Sequence, residues 1–544
     1  MTSPRTPTET STDFASPALG WLLLLPALLG TLISLVLPTV QTILLSLQSV
    51  RLTGPSDFVG LANFGRVLGE GAFWKALVFT LSLAVMPLLV AVVVGPLLAL
   101  ALDRSGGWPR RAGRIVLSLA LVTFSPVAVA ISWMRGLRPD ASGLVTLAEG
   151  LRDPATAPGT LQLVIVAATF GVVCALATLA FLPALRGGTV STAMLAVGAL
   201  VALAMIAAGL QTFSIGLTMT HGGPNGSTQT LSLVQYTYTF MMVKVELGAT
   251  VATVIGVILG VLGIAAVCVA AASGMRITIV PRENAQDPDA TRSGSGAKAA
   301  VGVVALVVVA VVGLVLAWPW LSALFAPAQP GSAAPSGLRT VVNTWAPALI
   351  GALVSVGVAY LAALGIGGLR PLGRRSEWLL LAFAPWLFVG MGPLSVADWR
   401  TIRSMGMIDS FVALVQPILV SVPALLILTL LCKGLAARTG KDFLSGVVLP
   451  SLPMAGILAL AVTLVNGHDL LWPLLVAQEP GLATAPVALL TQTTGYTSAW
   501  PDIGLATPLA VVAVALIGIV AAQLLYLDRL AITVGGSRED ALPA

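Results

Sequence analysis

Long uninterrupted apolar runs, separated by short stretches rich in Gly, Pro and charge, dominate the pattern of this chain. The runs do not alternate residue by residue, so they read as helices rather than barrel strands. A helix rising about 1.5 Å per residue needs about 20 apolar residues to cross a bilayer core. On that measure the pattern predicts twelve spans, at 18–46, 76–101, 115–134, 161–185, 190–217, 247–273, 299–326, 345–367, 378–397, 409–431, 444–466 and 504–527. The first run is too long for the apolar core of a signal peptide, and no convincing cleavage site follows it, so it reads as a retained span. The fold class expected is an all-α polytopic membrane protein of about 12 transmembrane helices, arranged as 6+6.

Composition agrees with this reading. Of the 544 residues 57% are hydrophobic and only 9% charged, against about 25% charged in an average soluble protein. The net charge of +6 does not point to nucleic acid, because 18 of the 28 Lys and Arg fall in alternate loops and at the two ends. Basic residues accumulate on the cytoplasmic side of membrane proteins. The bias therefore predicts a multi-pass protein of the cytoplasmic (inner) membrane with both termini cytoplasmic. Cys174, Cys268 and Cys432 lie in or at the end of apolar runs without metal-ligand spacing, and read as packing residues.

Residues 274–298 are the longest strongly polar stretch between spans and read as a flexible cytoplasmic linker. They divide the chain into a first six-span unit, 1–273, and a second, 299–544. The equal halves suggest two related units joined in one chain. No metal site, HExxH motif or Ser/His/Asp arrangement is present, and Gly440-Lys441 lacks the remainder of a Walker A loop. The chain is thus expected to have no catalytic residues and no cofactor of its own.

The segment from His221 to Phe240 is a Gly- and Pro-broken polar insert between two apolar runs. Gly222, Gly223 and Pro224 stop a helix, and Tyr236 and Tyr238 suit the headgroup level. The run Phe213, Thr220, Gly222, Gly223, Pro224, Thr228, with Tyr238 and Leu247-Gly248 following, resembles the first permease subunit of carbohydrate-type ABC importers (maltose/glycerol-phosphate type). VGLANF (Val59 to Phe64), Phe73-Trp74 and Ile131-Ser132-Trp133 look like that family's first loop and third span. In the second half, HDLLWPLL (His468 to Leu475), LATAPVALL (Leu482 to Leu490) and Leu449-Pro450 resemble the partner permease, with His468 where asparagine is usual.

The resemblance covers nearly the whole chain at low identity and implies two fused permease subunits. It implies ABC ATPase subunits that carry the ATP, an extracytoplasmic solute-binding protein, and surrounding lipid as partners. The docking positions it implies are Gly222, Gly223, Pro224, Tyr236, Tyr238, His468, Asp469, Trp472 and Pro473. The family couples to its ATPase through a cytoplasmic EAA helix, and here both coupling loops are degenerate. The first gap is only Leu185 to Thr192; in the second half Leu435, Ala436, Ala437, Arg438, Gly440 and Lys441 are the nearest echo, with Leu435 in place of the acidic residue.

Polar side chains in spans are candidates for a solute path: Gln211, Thr212 and Thr218, then Gln416 and Asn466. Such residues also serve as interhelical glue. No acidic residue is clearly buried mid-span, which argues against proton coupling. Two alternatives remain. LDRSGGWPRR (Leu102 to Arg111) partly echoes a loop of major-facilitator secondary transporters. The reduced coupling loops leave room for a non-transporting membrane scaffold derived from a permease.

Overall fold

The computed structural model describes residues 17–49, 56–136, 145–187, 190–280, 296–324, 337–438, 442–494 and 503–535. Among these, nine helices are long and apolar enough to cross a membrane, or ten if one bent pair is a single span. They are α1 (Pro17–Ser46), α2 (Gly71–Arg104), α5 (Ala157–Arg186), α6 (Val190–Thr220), α8 (Val245–Ala272), α9 (Ala299–Pro319), α10 (Gly337–Leu369), α13 (Leu444–Gly467) and α16 (Leu509–Arg529). The bent pair is α3 (Gly107–Thr123) with α4 (Pro126–Met134), turned by 77° at a proline that cannot donate to the helix ladder. Short helices α7 (Leu231–Tyr236), α11 (Met391–Ser404), α12 (Val422–Ala436), α14 (Leu471–Val476) and α15 (Ala485–Thr494) complete the set used below.

The chain is an all-α polytopic membrane protein, but besides the bent pair at 115–134 two more of the twelve expected spans are not straight helices. Residues 378–397 form 3₁₀ turns, Gly373–Ala382 and Ala384–Trp386, that give way to α11. Residues 409–431 are an irregular approach to α12, whose 15 residues are short of a crossing. Pro385, Gly390, Gly392-Pro393, Pro417 and Pro423 interrupt both stretches. Hydropathy counts apolar residues and does not register such breaks.

Prolines also explain three of the π-helical turns. Leu32–Val36, Val90–Val94 and Leu444–Val448 are wide turns inside α1, α2 and α13. Each is followed two residues later by a proline, Pro38, Pro96 and Pro450. A proline ring clashes with the carbonyl four residues back, and the wide turn moves that carbonyl aside.

The halves exchange helices. α1 packs on α10, α9 on α2 and α5, α16 on α3, and α8 on Ala384–Trp386 and α11. The largest apolar core cluster therefore mixes both halves, with Leu24, Leu98 and Phe181 beside Phe383, Leu425 and Leu431.

A reciprocal clasp ties the Arg-rich end of the bundle. After α8 the chain forms β3 (Arg276–Ile279), within the stretch expected to be a flexible linker, and after α16 it forms β4 (Leu530–Thr533). The two pair antiparallel, Ile277 opposite Ile532. A second two-stranded pair, β1 (Gln48–Ser49) with β2 (Asp57–Phe58), lies toward the other end of α1. The β3–β4 ladder fixes the first residues of the expected linker, whose backbone groups are satisfied across the halves; residues 281–295 lie outside the described residues.

Each strand rests on the end of the opposite half. A Cβ at Gly187 would lie 1.9 Å from the Ile532 carbonyl oxygen, and one at Gly434 2.0 Å from that of Ile277. Only glycine permits these approaches. Replacing both, Gly187→Ala with Gly434→Ala, is expected to force the strands away and cost roughly 1–3 kcal/mol per site. Hydrogen exchange should then lose protection across 276–279 and 530–533; unchanged protection would contradict the clasp.

Candidate functional site

A cavity of about 650 Å³ lies between the halves. The first half lines it from α6 with Ala204, Ala208, Gln211 and Ser214, and the second from 386–392, the approach to α12, and α13. Trp386 and Phe388 supply aromatic faces; Gln416, Ser421 and Asn466 supply polar groups. His468 and Asp469 are its only ionisable lining residues among those described.

Gln211 joins the halves at this wall. Its Nε2 donates to the Phe388 carbonyl at 2.8 Å, and its Oε1 accepts from the Gly390 N–H at 2.8 Å. The break at Gly390 frees backbone groups that a continuous helix would use, and Gln211 satisfies them. Trp386 Nε1 donates to Thr39 Oγ1 at 3.0 Å, a second tie across the halves.

Gln416 Nε2 donates to Asp469 Oδ2 at 2.9 Å, and the Asp469 carboxylate also accepts from the N–H groups of Leu471 and Trp472. Asp469 thus holds the first turn of α14. Burial pushes its carboxyl above the usual range, opposed by the hydrogen bonds from Trp472, Leu471 and Gln416.

Of the five path candidates, the structure sets Gln211, Gln416 and Asn466 on this cavity wall. Thr212 and Thr218 are not on it: the Thr212 carbonyl accepts from Thr230 Oγ1, and Thr218 is buried with its hydroxyl on Ser214 O. Sequence reasoning missed Trp386, Phe388 and Ser421, which sit on irregular segments that apolar composition presents as spans.

The docking candidates divide. The insert folds back over the end of α6. His221 caps the helix with φ 51°, and positive φ recurs at Gly222, Asn225 and Gly226. Thr228 Oγ1 donates to Gly223 O at 2.6 Å, and Thr230 caps α7 by accepting from Leu233 N–H. His221, Asn225 and Gly226 are exposed at the tip; Gly222 is buried, and Gly223 and Pro224 are half-buried. Gln235 Nε2 binds Gly392 O at 2.6 Å, tying the insert to the second half.

Tyr236 is half-buried between Phe213 and Phe240, at 5.4 and 5.7 Å between ring centres. Tyr238 donates to Glu70 at 2.5 Å; burial, then this bond, pushes its hydroxyl up to about 12. Trp472 and Pro473 correct the expectation of an exposed docking turn. Both are buried, with Trp472 Nε1 donating to Ala413 O at 2.8 Å, because the indole finds its partner inward. His468 and Asp469 line the cavity instead of an outer surface.

At the opposite end, the coupling candidates face the clasp. Leu435 is buried, Ala436 half-buried and Ala437 exposed, and Arg438 Nη1 donates to Ile279 O at 3.0 Å. Gly440 and Lys441 lie outside the described residues. Lys433 donates to the Met275 carbonyl and pairs with Glu377 at 2.5 Å. Asp528, from the end of α16, meets Arg186, Arg114 and Arg110.

Among the described residues three acidic side chains are buried, Glu377, Asp398 and Asp528, each just outside an expected span. Glu377 precedes α11, Asp398 lies on it, and Asp528 ends a span, so a mid-span search passes over them. Asp398 Oδ2 has no hydrogen-bond partner among the described residues. Cys174 and Cys432 are buried and Cys268 half-buried, all as free thiols.

No protein-family model matches this chain. A 144-residue stretch, 26% of the chain, is 28% identical to the trehalose transport system permease protein SugA of Mycobacterium tuberculosis, in the CDC 1551 / Oshkosh strain and equally in ATCC 25618 / H37Rv. The match spans 45% of those relatives' own length. Together with the apolar helices, this similarity supports a transmembrane permease.

Proposed function

We propose that the chain is the membrane component of an ABC-type importer, with two permease-like halves fused, moving a sugar or related neutral polar solute. The observation that carries this reading is the cavity between the halves. Its about 650 Å³ lies within the roughly 300–1,000 Å³ of small-molecule sites. Amides and hydroxyls match a hydroxylated solute, Trp386 and Phe388 offer a face to a sugar ring, and no Lys or Arg among the described residues lines it to attract an anion. The similarity to a trehalose permease points the same way.

In this reading the insert lies on the outer side and the Arg-rich end faces the cytoplasm, as the basic-residue bias suggests. An extracytoplasmic binding protein delivers the solute near His221, Asn225 and Gly226. The halves then rock about the cavity so that it opens to one side at a time. Separate ATPase subunits drive the motion.

The clasp favours a second reading, a permease-derived scaffold that no longer couples. Arg438 and Lys433, within or beside the nearest echo of a coupling helix, are committed to β3 and its flank.

Uptake of a labelled neutral disaccharide, in cells expressing the full chain with its candidate partners, separates these readings. The importer predicts that an ATPase co-purifies with the chain and that uptake stops on ATP depletion. Uptake that persists without ATP and collapses with the proton gradient would replace it with secondary transport. Partner binding without uptake would leave the scaffold.

A further inference from the structure

Beside the large cavity lies a chamber of about 10 Å³, enclosed by α10, α13 and the turns before α12, α14 and α15. That volume admits one water-sized occupant. Its polar lining is Asn343, Thr344, Gln416, Asn466, Asp469 and Thr484.

Apart from the amide of Asn466, the polar lining side chains that can donate are mostly engaged already. Asn343 Nδ2 donates to Gly481 O at 3.0 Å, Gln416 Nε2 to Asp469 at 2.9 Å, and the Thr344 hydroxyl to Thr340 O at 2.6 Å. These bonds fix the amides of Asn343 and Gln416 so that their carbonyl oxygens, Oδ1 and Oε1, are left over. No hydrogen bond among the described residues uses either oxygen, and none uses the Asn466 side chain. Thr484 is 4% exposed, and its Oγ1 has no hydrogen-bond partner among the described residues. Asp469 has no Lys or Arg partner among the described ion pairs.

Asp469 is half-buried and accepts three hydrogen bonds but has no counter-charge among the described residues, and a carboxylate drawn partly out of water is stabilised by one. An excess of oxygens around a single negative charge suits a hard cation, which takes oxygen ligands. A water donates only two protons and brings no charge. One carboxylate balances one positive charge, which selects a monovalent ion.

We propose that this chamber binds one small monovalent cation, sodium, through Asp469 and the neutral oxygens of Asn343, Gln416, Asn466 and Thr484. Three of these residues, Gln416, Asn466 and Asp469, also line the large cavity. The ion would therefore fix one wall of that cavity.

The test needs neither solute nor ATPase, so its outcome is independent of the transport reading. The purified full chain in detergent is unfolded thermally in sodium chloride and in choline chloride at equal ionic strength. Ligand linkage predicts a midpoint that rises with sodium concentration, by several degrees over choline. Thr484→Val, which removes only the unpartnered hydroxyl, should fold and shrink the shift; Asp469→Asn should abolish it. Equal midpoints in the two salts, or an unchanged shift in folded Thr484→Val, would overturn the proposal in favour of a bound water.

Discussion

Asp528→Asn is expected to lower the stability of the protein by roughly 3–5 kcal/mol, the usual cost of breaking a buried ion pair from one side. Asp528 is 7% exposed. Its Oδ1 lies 2.8 Å from Arg186 Nη2, 3.4 Å from Arg114 Nε and 3.5 Å from Arg110 Nε. Arg114 is itself 1% exposed and holds Gln523 Oε1 at 2.9 Å. The three arginines belong to the first half, with Asp103 beside Arg110 at 3.7 Å, and Asp528 brings the carboxylate that the second half adds to the cluster. Asparagine keeps the volume and removes the charge, so Arg186 and Arg114 lose their carboxylate in a medium where an ion without a counter-charge is expensive, while Arg110 keeps Asp103. Unfolding of the purified chain should shift to clearly lower denaturant or temperature. A change below about 1 kcal/mol, the size of a surface pair, would mean that the cluster is solvated.

Much of the architecture was legible in the sequence because crossing a bilayer imposes a length and a composition on each helix. The runs at 18–46, 190–217, 247–273 and 444–466 correspond to α1, α6, α8 and α13. The Gly- and Pro-broken insert after α6 was legible for the same local reason: positive φ at Gly222 and Gly226 needs glycine. Features that depend on the other half were not legible. The pairing of β3 with β4 joins residues far apart in the chain, and Arg276–Ile279 alone is too short to mark a strand. Trp472 beside a proline suggests an interfacial anchor, but its partner, Ala413 O, lies on an irregular segment that reads as a span. Asp469 and His468 read as an outer turn because helix ends are usually surface; here the end of α13 opens into the cavity between the halves.

The most direct test of the account is to fill that cavity without disturbing its frame. Ala208, on α6, lines the cavity and is exposed toward open space, and its methyl group makes no hydrogen bond. Gln211, one turn further, is unsuitable because its amide holds Phe388 and Gly390 in place. Ala208→Trp puts a large indole in the path while leaving the ties between the halves and the clasp intact. A solute that passes between the halves must then meet the indole, whereas one that passes elsewhere does not. The measurement is uptake of a labelled neutral disaccharide by the variant and the unaltered chain, at matched expression and unfolding midpoint. Uptake is expected to fall about tenfold or more in rate, equivalent to roughly 1.4 kcal/mol on the barrier. Uptake at the unaltered rate by well-folded Ala208→Trp would contradict it.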